Sequence, residues 1–394
     1  MKILLYDWAL DFLGGGQKYC CDMAAALGKE HDVTLLCRKP VERSFLAGAY
    51  GLDLGRVNFI NLKFRPRFQS VPLGLYNLLL QQWNLAAEAA EISPLTAKYD
   101  LFINCESTRA MIEPLSPKSV LVCHFPPRGD LRREWEAYGP VLKYTYALPY
   151  RALAGRFTPQ NYAERYGAVI TSSEFARCWL KELWGLPAGV LYPAVPSAPA
   201  GGWGNAILTV SRITPKKKIL EMLEVFGGLV ESGLKGWTFI IAGSVDAERS
   251  AYLADIRKRA SGLPVRLELN PGFAELSALY GSSKIYWHMT GLDVDQRAEP
   301  YEMEHFGITP VEAMARGLVP VLFNGGGLKE IVEDGVNGFL VDGREELAAR
   351  TAELCASPER LGVLSGNALA RSAFFSPAAF KAGLDAVIGG AGGA

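Results

Sequence analysis

Residues 299–342 alternate short apolar runs with glycine-marked turns, and no other stretch constrains the fold as tightly. Thr309-Pro310-Val311-Glu312 has the form of a helix start, with Thr309 at the cap, Pro310 at the first helical position and Glu312 where a capping-box acid reaches back. The helix continues through Ala313, Met314 and Ala315, and Gly317 ends it. Residues 318–323 then read as a buried strand, 324–327 as a turn, 328–334 as a second helix and 338–341 as a second strand. Helix, strand, helix, strand with connections this short is the alternation that builds a parallel sheet.

The same alternation opens the chain. Residues 2–6 form a strand, Gly14-Gly15-Gly16 a loop, 17–27 a helix and 33–37 a second strand. Further strands are expected at 101–104, 119–123, 168–172 and 190–193, with Ser173 capping a helix over 174–184 that Gly185 ends. Residues 196–204 are rich in Pro and Gly without periodicity and read as a linker. Beyond it the pattern restarts: a strand at 207–211, a helix over 216–231 with Ile219, Leu223, Phe226 and Val230 on one face, a strand at 237–243, a helix at 252–259, and strands at 265–269 and 284–288. At 394 residues the chain has room for two such domains. The expected division is 1–195, linker 196–204, 205–375, then a final helix at 376–388 and a disordered tail from 389.

Net charge is zero, with 22 Lys and Arg against 18 Asp and Glu up to Val195 and 19 against 23 beyond it. The mildly basic first half suits an anionic surface or a phosphate-bearing acceptor. The seven cysteines show no zinc-like pairing and sit mostly in apolar runs, as reduced core thiols of a cytosolic protein do. Residues 1–7 read as a first strand rather than a signal peptide, and no apolar run reaches bilayer length. Two stretches, 61–83 and 132–156, interleave Lys and Arg with aromatics. Each reads either as a basic loop beside a core helix or as an edge that meets anionic lipid.

Lys216, Lys217 and Lys218 break a local rule, crowding the start of the 216–231 helix where the macrodipole disfavours cations. Such violations tend to mark functional sites, and an anion gripped there by Arg212 and a lysine would remove the conflict. A solvated basic patch is the other reading. Glu304 and Glu312 are similarly open: a loop acid and a capping-box acid, or a pair with chemistry. His124 and His288 both lie at strand ends, where α/β folds place ligands, and both are equally compatible with a structural role.

Taken whole, the 299–342 string resembles the donor-sugar motif of the retaining, nucleotide-sugar-dependent glycosyltransferases of family four, the group 1 transferases. Their pattern is Glu-x7-Glu with Phe-Gly after the first acid, Glu-Ala-Met-Ala-x-Gly at the second, then Pro-Val, Gly-Gly and Glu-Ile-Val. Here those are Glu304, Phe306-Gly307, residues 312–317, Pro320-Val321, Gly326-Gly327 and Glu330-Ile331-Val332. The resemblance implies α/β GT-B architecture, two Rossmann-like doubly wound domains facing each other across a cleft, with the last helix crossing back to the first domain.

It also implies roles. Arg212 and a lysine five residues on, Lys217, would grip the donor diphosphate, Lys216 and Lys218 leaving that register open by one. Glu304 would meet hydroxyls of the donor sugar, the N–H groups around Phe306, Gly307 and Ile308 would hold that sugar, and Glu312 would take the ribose hydroxyls. Gly272 and Phe273 would lie against the base. From the first domain, Gly14, Gly15 and Gly16 would approach the diphosphate and acceptor, and His124 the transferred sugar. The implied reaction is transfer of a hexose from a GDP- or UDP-linked sugar to a glycan or lipid-linked acceptor with retention. GDP-mannose is favoured because the loops around His124, His288 and Glu304 look like those of the lipid-linked oligosaccharide mannosyltransferases.

No cofactor or essential metal is expected, since Asp293-x-Asp295 lies in a loop ahead of the motif, and no nucleic-acid partner either. The implied location is cytoplasmic, peripheral to the membrane. A nucleotide-sugar epimerase of the same architecture, or a non-catalytic nucleotide- or carbohydrate-binding protein, is the alternative. The first would need its own acid and base; the second would typically have lost one of Arg212, Lys217, Glu304 and Glu312.

Overall fold

The computed structural model describes all residues except 63–73, 108–110, 127–158, 199–203, 246–249 and 392–394. The 132–156 stretch, much of 61–83 and the middle of the 196–204 linker therefore lie outside the described residues.

Two compact units emerge. One comprises Met1–Ser172, Ala176–Leu191 and Lys381–Ala394; the other Ser173–Phe175 and Tyr192–Phe380. The first holds a seven-stranded sheet of β1 (Lys2–Asp7), β2 (Asp32–Cys37), β3 (Asn58–Asn61), β4 (Leu101–Asn104), β5 (Lys118–Val122), β6 (Ala168–Thr171) and β7 (Gly189–Val190), in the order β3-β2-β1-β4-β5-β6-β7. Every neighbouring pair is parallel. The second holds β8 (Ala206–Val210), β9 (Thr238–Gly243), β10 (Val265–Leu269), β11 (Ile285–His288), β12 (Val319–Phe323) and β13 (Phe339–Val341), in the order β10-β9-β8-β11-β12-β13, again all parallel. In each sheet the order reverses beside the first strand, between β1 and β4 and between β8 and β11. That reversal opens a crevice at the C-terminal strand ends, where doubly wound folds bind ligands.

The strand sequences explain the layering. Parallel strands covered on both faces read as continuous apolar runs, as in ILLY of β1 and AILTV of β8. Alternate side chains enter opposite layers. Ile207 and Trp287 join one core with Phe226 and Phe239; their neighbours Leu208 and Tyr286 join the other with Val311 and Met314. Trp287 satisfies its indole N–H on Thr351 Oγ1 at 3.0 Å inside the first of these layers.

Several local expectations are corrected. Residues 328–334 form no helix; a 3-10 turn, Gly326–Glu330, occupies the start of that span. The 216–231 helix begins only at Ile219, after a 3-10 turn at Pro215–Lys217 and a left-handed Lys218 (φ 57°). The final helix runs Pro377–Gly390 and Ala391 is buried, so the tail does not fray from 389. Its carbonyl lies 2.9 Å from where a Cβ on Gly167 would sit, a packing that only glycine permits. Strand β3 and the helices Arg43–Tyr50, Phe273–Gly281, Arg344–Ala356 and Pro358–Ser372 had no counterpart in the sequence reading. All seven cysteines are free, five of them buried. Among the described residues no helix is long and apolar enough to cross a membrane.

Candidate functional site

In the second unit the crevice between β8 and β11 gathers most of the sequence-predicted residues. The chain leaving β8 is pinned to the neighbouring strand end by Ser211 N–H to Ala242 O (3.0 Å) and Ile213 N–H to Ser244 O (2.9 Å). Gly243 makes this crossing possible, because a Cβ there would meet Ser211 O at 1.6 Å. Arg212 is exposed on this crossing, and the three lysines follow on the turn.

Each lysine has its own partner. Lys216 Nζ donates to the Tyr301 carbonyl. Lys217 Nζ lies 2.5 Å from Glu304 Oε2. Lys218 is 3.6 Å from Glu221 on the next turn. The conflict with the helix dipole is therefore relieved within the protein, by two carboxylates and a carbonyl, and the lysines stand ahead of the helix rather than in its first turn. Of the three, Lys217 is the one that meets the first acid of the motif.

Glu304 receives a second contact, from His288 Nε2 at 2.8 Å, and that nitrogen also lies 2.9 Å from Thr290 Oγ1. Burial pushes the Glu304 carboxyl upward, but the Lys217 charge and the His288 hydrogen bond outweigh it and hold the group well below its ordinary 4.5. Burial pushes His288 below its ordinary 6.5, and Glu304 opposes that shift. Burial also lowers Lys216.

The loop that carries Glu304 is set by the motif's glycines. Cβ atoms on Gly326 and Gly327 would meet Glu304 O at 2.3 Å and His305 O at 2.2 Å. Their absence lets Gly327 N–H donate to Glu304 O at 2.8 Å. Phe306 is buried against Tyr192 (5.6 Å) and Phe375 (5.5 Å), which leaves only its backbone for a ligand. Gly307 (φ 101°) turns the chain into the helix Ile308–Met314 and is its N-cap.

Thr309 is thus inside the helix and caps nothing; its hydroxyl pairs with Tyr286 at 2.8 Å. The capping-box reading of Glu312 fails with it. Glu312 Oε2 instead accepts from the Tyr280 hydroxyl at 3.0 Å. Tyr280, Tyr286 and His288 stack in sequence (6.3 Å, then 6.5 Å between centroids), a floor that sequence reasoning missed. The available signal was period two in β11, which puts Tyr286 and His288 on one face.

Gly272 caps the unforeseen helix Phe273–Gly281, with Glu275 accepting its N–H at 2.8 Å, and Phe273 is exposed. Asp293 pairs with Arg344 at 2.8 Å, and Asp295 accepts the N–H groups of Arg297 and Ala298. No group of three or more His, Cys, Asp or Glu is gathered for a metal among the described residues.

In the first unit, Gly14 caps the helix Gly15–Leu27, which starts two residues earlier than expected. His124 follows β5, and its Nε2, buried without a hydrogen-bond partner among the described residues, lies 3.3 Å from where a Cβ on Gly16 would sit. Burial lowers its pKa, with Glu106 opposing.

Residues 200–371 match the glycosyl transferases group 1 family. This region is a group 1 glycosyltransferase domain. The GDP-Man:Man(3)GlcNAc(2)-PP-Dol alpha-1,2-mannosyltransferase of Xenopus tropicalis is 30% identical over 189 residues, 45% of this chain and 37% of that one. The GDP-mannose:cellobiosyl-diphosphopolyprenol alpha-mannosyltransferase of Komagataeibacter xylinus is 30% identical over 140 residues, 35% and 32% of the two chains. The chain thus aligns with about a third of these relatives' length. HepE from Anabaena, in complex with UDP and glucose, covers 99% of both chains with a TM-score of 0.70 and 18% identity. The two parallel-sheet α/β units have the fold of the GT-B glycosyltransferases.

Proposed function

We propose that the protein transfers a hexose from a nucleotide-diphosphate sugar to a glycan or lipid-linked acceptor, with retention. The observation that carries this reading is the Lys217–Glu304–His288 cluster at the sheet reversal of a group 1 domain. As the bond from anomeric carbon to phosphate breaks, negative charge grows on the leaving diphosphate and positive charge at the sugar carbon. Arg212 and Lys217 stabilise the first, Glu304 and the backbone N–H groups at Phe306, Gly307 and Ile308 hold the sugar, and Glu312 takes the ribose. Attack from the same face lets the leaving phosphate oxygen accept the acceptor's proton, which preserves configuration. Two fixed cations meet the diphosphate charge, so no essential metal is invoked. In the first unit, His124 Nε2 beside Gly16 is suited to a sugar hydroxyl.

GDP-mannose is the proposed donor, supported by the names of the two mannosyltransferases. A UDP-sugar is the second reading, supported by HepE with UDP and glucose. A lipid-linked acceptor would put the protein at the cytoplasmic face of a membrane; sedimentation with the aqueous phase in anionic-liposome flotation would refute that location. The deciding experiment is a thermal-shift screen against GDP-mannose, UDP-glucose, UDP-N-acetylglucosamine, GDP and UDP, with and without EDTA. Stabilisation by one nucleotide that survives EDTA is expected. Silence from all five would overturn the donor reading.

A further inference from the structure

His288 ends β11 with its side chain buried, and its Nε2 faces Glu304 Oε2 and Thr290 Oγ1. The protons on this group have one consistent arrangement at neutral pH. An ionised carboxylate only accepts, so the nitrogen facing Glu304 carries the hydrogen, and Thr290 Oγ1 shares it as a second acceptor. The ring is buried beside Tyr286. It stacks on Tyr286 at 14° between planes, and the Tyr286 hydroxyl is tied to Thr309 Oγ1 at 2.8 Å and Val210 O at 3.1 Å.

Both donors to Glu304 converge on Oε2, and among the described residues no hydrogen bond reaches Oε1. The other titratable groups that face Glu304 are Lys216 on the same turn as Lys217 and Tyr286 on β11; Arg212 and Glu302 act on Lys216 from farther out. In the donor-site reading, Lys217 serves the diphosphate and Glu304 the sugar, yet the two bond each other. A diphosphate that draws Lys217 toward itself takes away the strongest support of a buried carboxylate.

We propose that His288 is the positioning residue that keeps Glu304 oriented and ionised while Lys217 turns to the donor diphosphate. Its N–H holds Oε2 and leaves Oε1 for a sugar hydroxyl. The proposal rests on the donor-site reading above.

The test compares His288→Phe, which keeps the stacking ring without an N–H, with His288→Gln, whose amide can still donate. Folding is checked by melting temperature; His288→Asn, whose amide stops short of Glu304, replaces the Phe variant if that one does not fold. For the variant without a reaching N–H, kcat/KM for the nucleotide sugar should fall about tenfold or more, and its acid limb should move up by roughly one pH unit. Affinity for GDP or UDP alone, which needs Lys217 but not Glu304, should change less than about twofold. His288→Gln should recover most of the rate with the wild-type pH profile. An unchanged pH profile, or equal losses in the Phe and Gln variants, would overturn the assignment. Failure of the wild-type protein itself to bind any nucleotide sugar would instead refute the donor reading and remove the basis of this one.

Discussion

Lys217 Nζ sits 2.5 Å from Glu304 Oε2, with the two side chains 14% and 18% exposed. The groups assigned to opposite ends of the breaking bond are thus partners of each other. At this degree of burial an ion pair gains little over an apolar pair of the same volume, but losing one member strands the other.

Lys217→Ala and Glu304→Ala should therefore each cost about 3 kcal/mol in chemical denaturation, while Lys217→Met with Glu304→Gln costs clearly less than the sum of the two. Both single variants should lose transfer. Glu304 adds a pH signature. Its carboxyl is held below 4.5, so its contribution is complete above that value and is lost as pH falls through the depressed one. Full activity in both single variants would sink the site assignment.

Gly327→Ala tests the loop. The added Cβ would lie 2.2 Å from His305 O, a backbone atom that cannot rotate away. We expect a loss of about 1–3 kcal/mol in stability and a larger proportional loss in nucleotide-sugar affinity, because Glu304 rides on the displaced segment. Wild-type affinity measured by calorimetry would show that this close approach does not set the site.

Tyr280→Phe separates Glu312 from its support. The Tyr280 hydroxyl is the donor to Glu312 Oε2, and Tyr280 is itself buried. Removing it should weaken GDP or UDP binding by about three- to tenfold, since a net hydrogen bond is worth about 1 kcal/mol, whereas Glu312→Ala should cost more. Titration of the free nucleotides reads both. If Tyr280→Phe binds as the wild type does, Glu312 is held by its helix alone.

The parallel sheets were legible because β1, β8 and β12 are continuous apolar runs, and the motif acids could be named from the resemblance of residues 299–342 to the group 1 pattern. What escaped the sequence is contact across it. The Thr309-Pro310-Val311-Glu312 string satisfies every rule for a capping box, yet Gly307 starts the helix two residues earlier, because only a glycine there can take φ 101°. Three adjacent lysines cannot be told apart by local rules. Which one meets Glu304 goes with the 3-10 turn over Pro215–Lys217 and the left-handed Lys218 (φ 57°) that follows it, a backbone path that local rules do not give. Glu330 read only as part of a matching string, but its carboxylate accepts the N–H groups of Glu174 (2.8 Å) and Phe175 (2.7 Å), a cap supplied from far along the chain.

Asp7 gives the first unit a pH dependence of opposite sign to that of Glu304. It ends β1 fully buried, accepting Ala9 N–H at 2.8 Å. Burial pushes its carboxyl from 3.8 to about 7; the charges of Glu106 and Asp11 add to this, and the hydrogen bonds from Ala9 and Gln17 oppose it. The folded state therefore holds a proton that the unfolded chain has released between those two values. The slope of stability against pH is negative there, so the contribution is full below 3.8 and is lost as pH rises through about 7. Asp7→Asn keeps the shape and removes the titration. Between pH 5 and pH 8 the wild type should lose about 2–3 kcal/mol more than this variant, a difference in which all other titrating groups cancel. Parallel losses in the two proteins, followed by denaturant midpoints at both pH values, would show that Asp7 does not retain its proton in the fold.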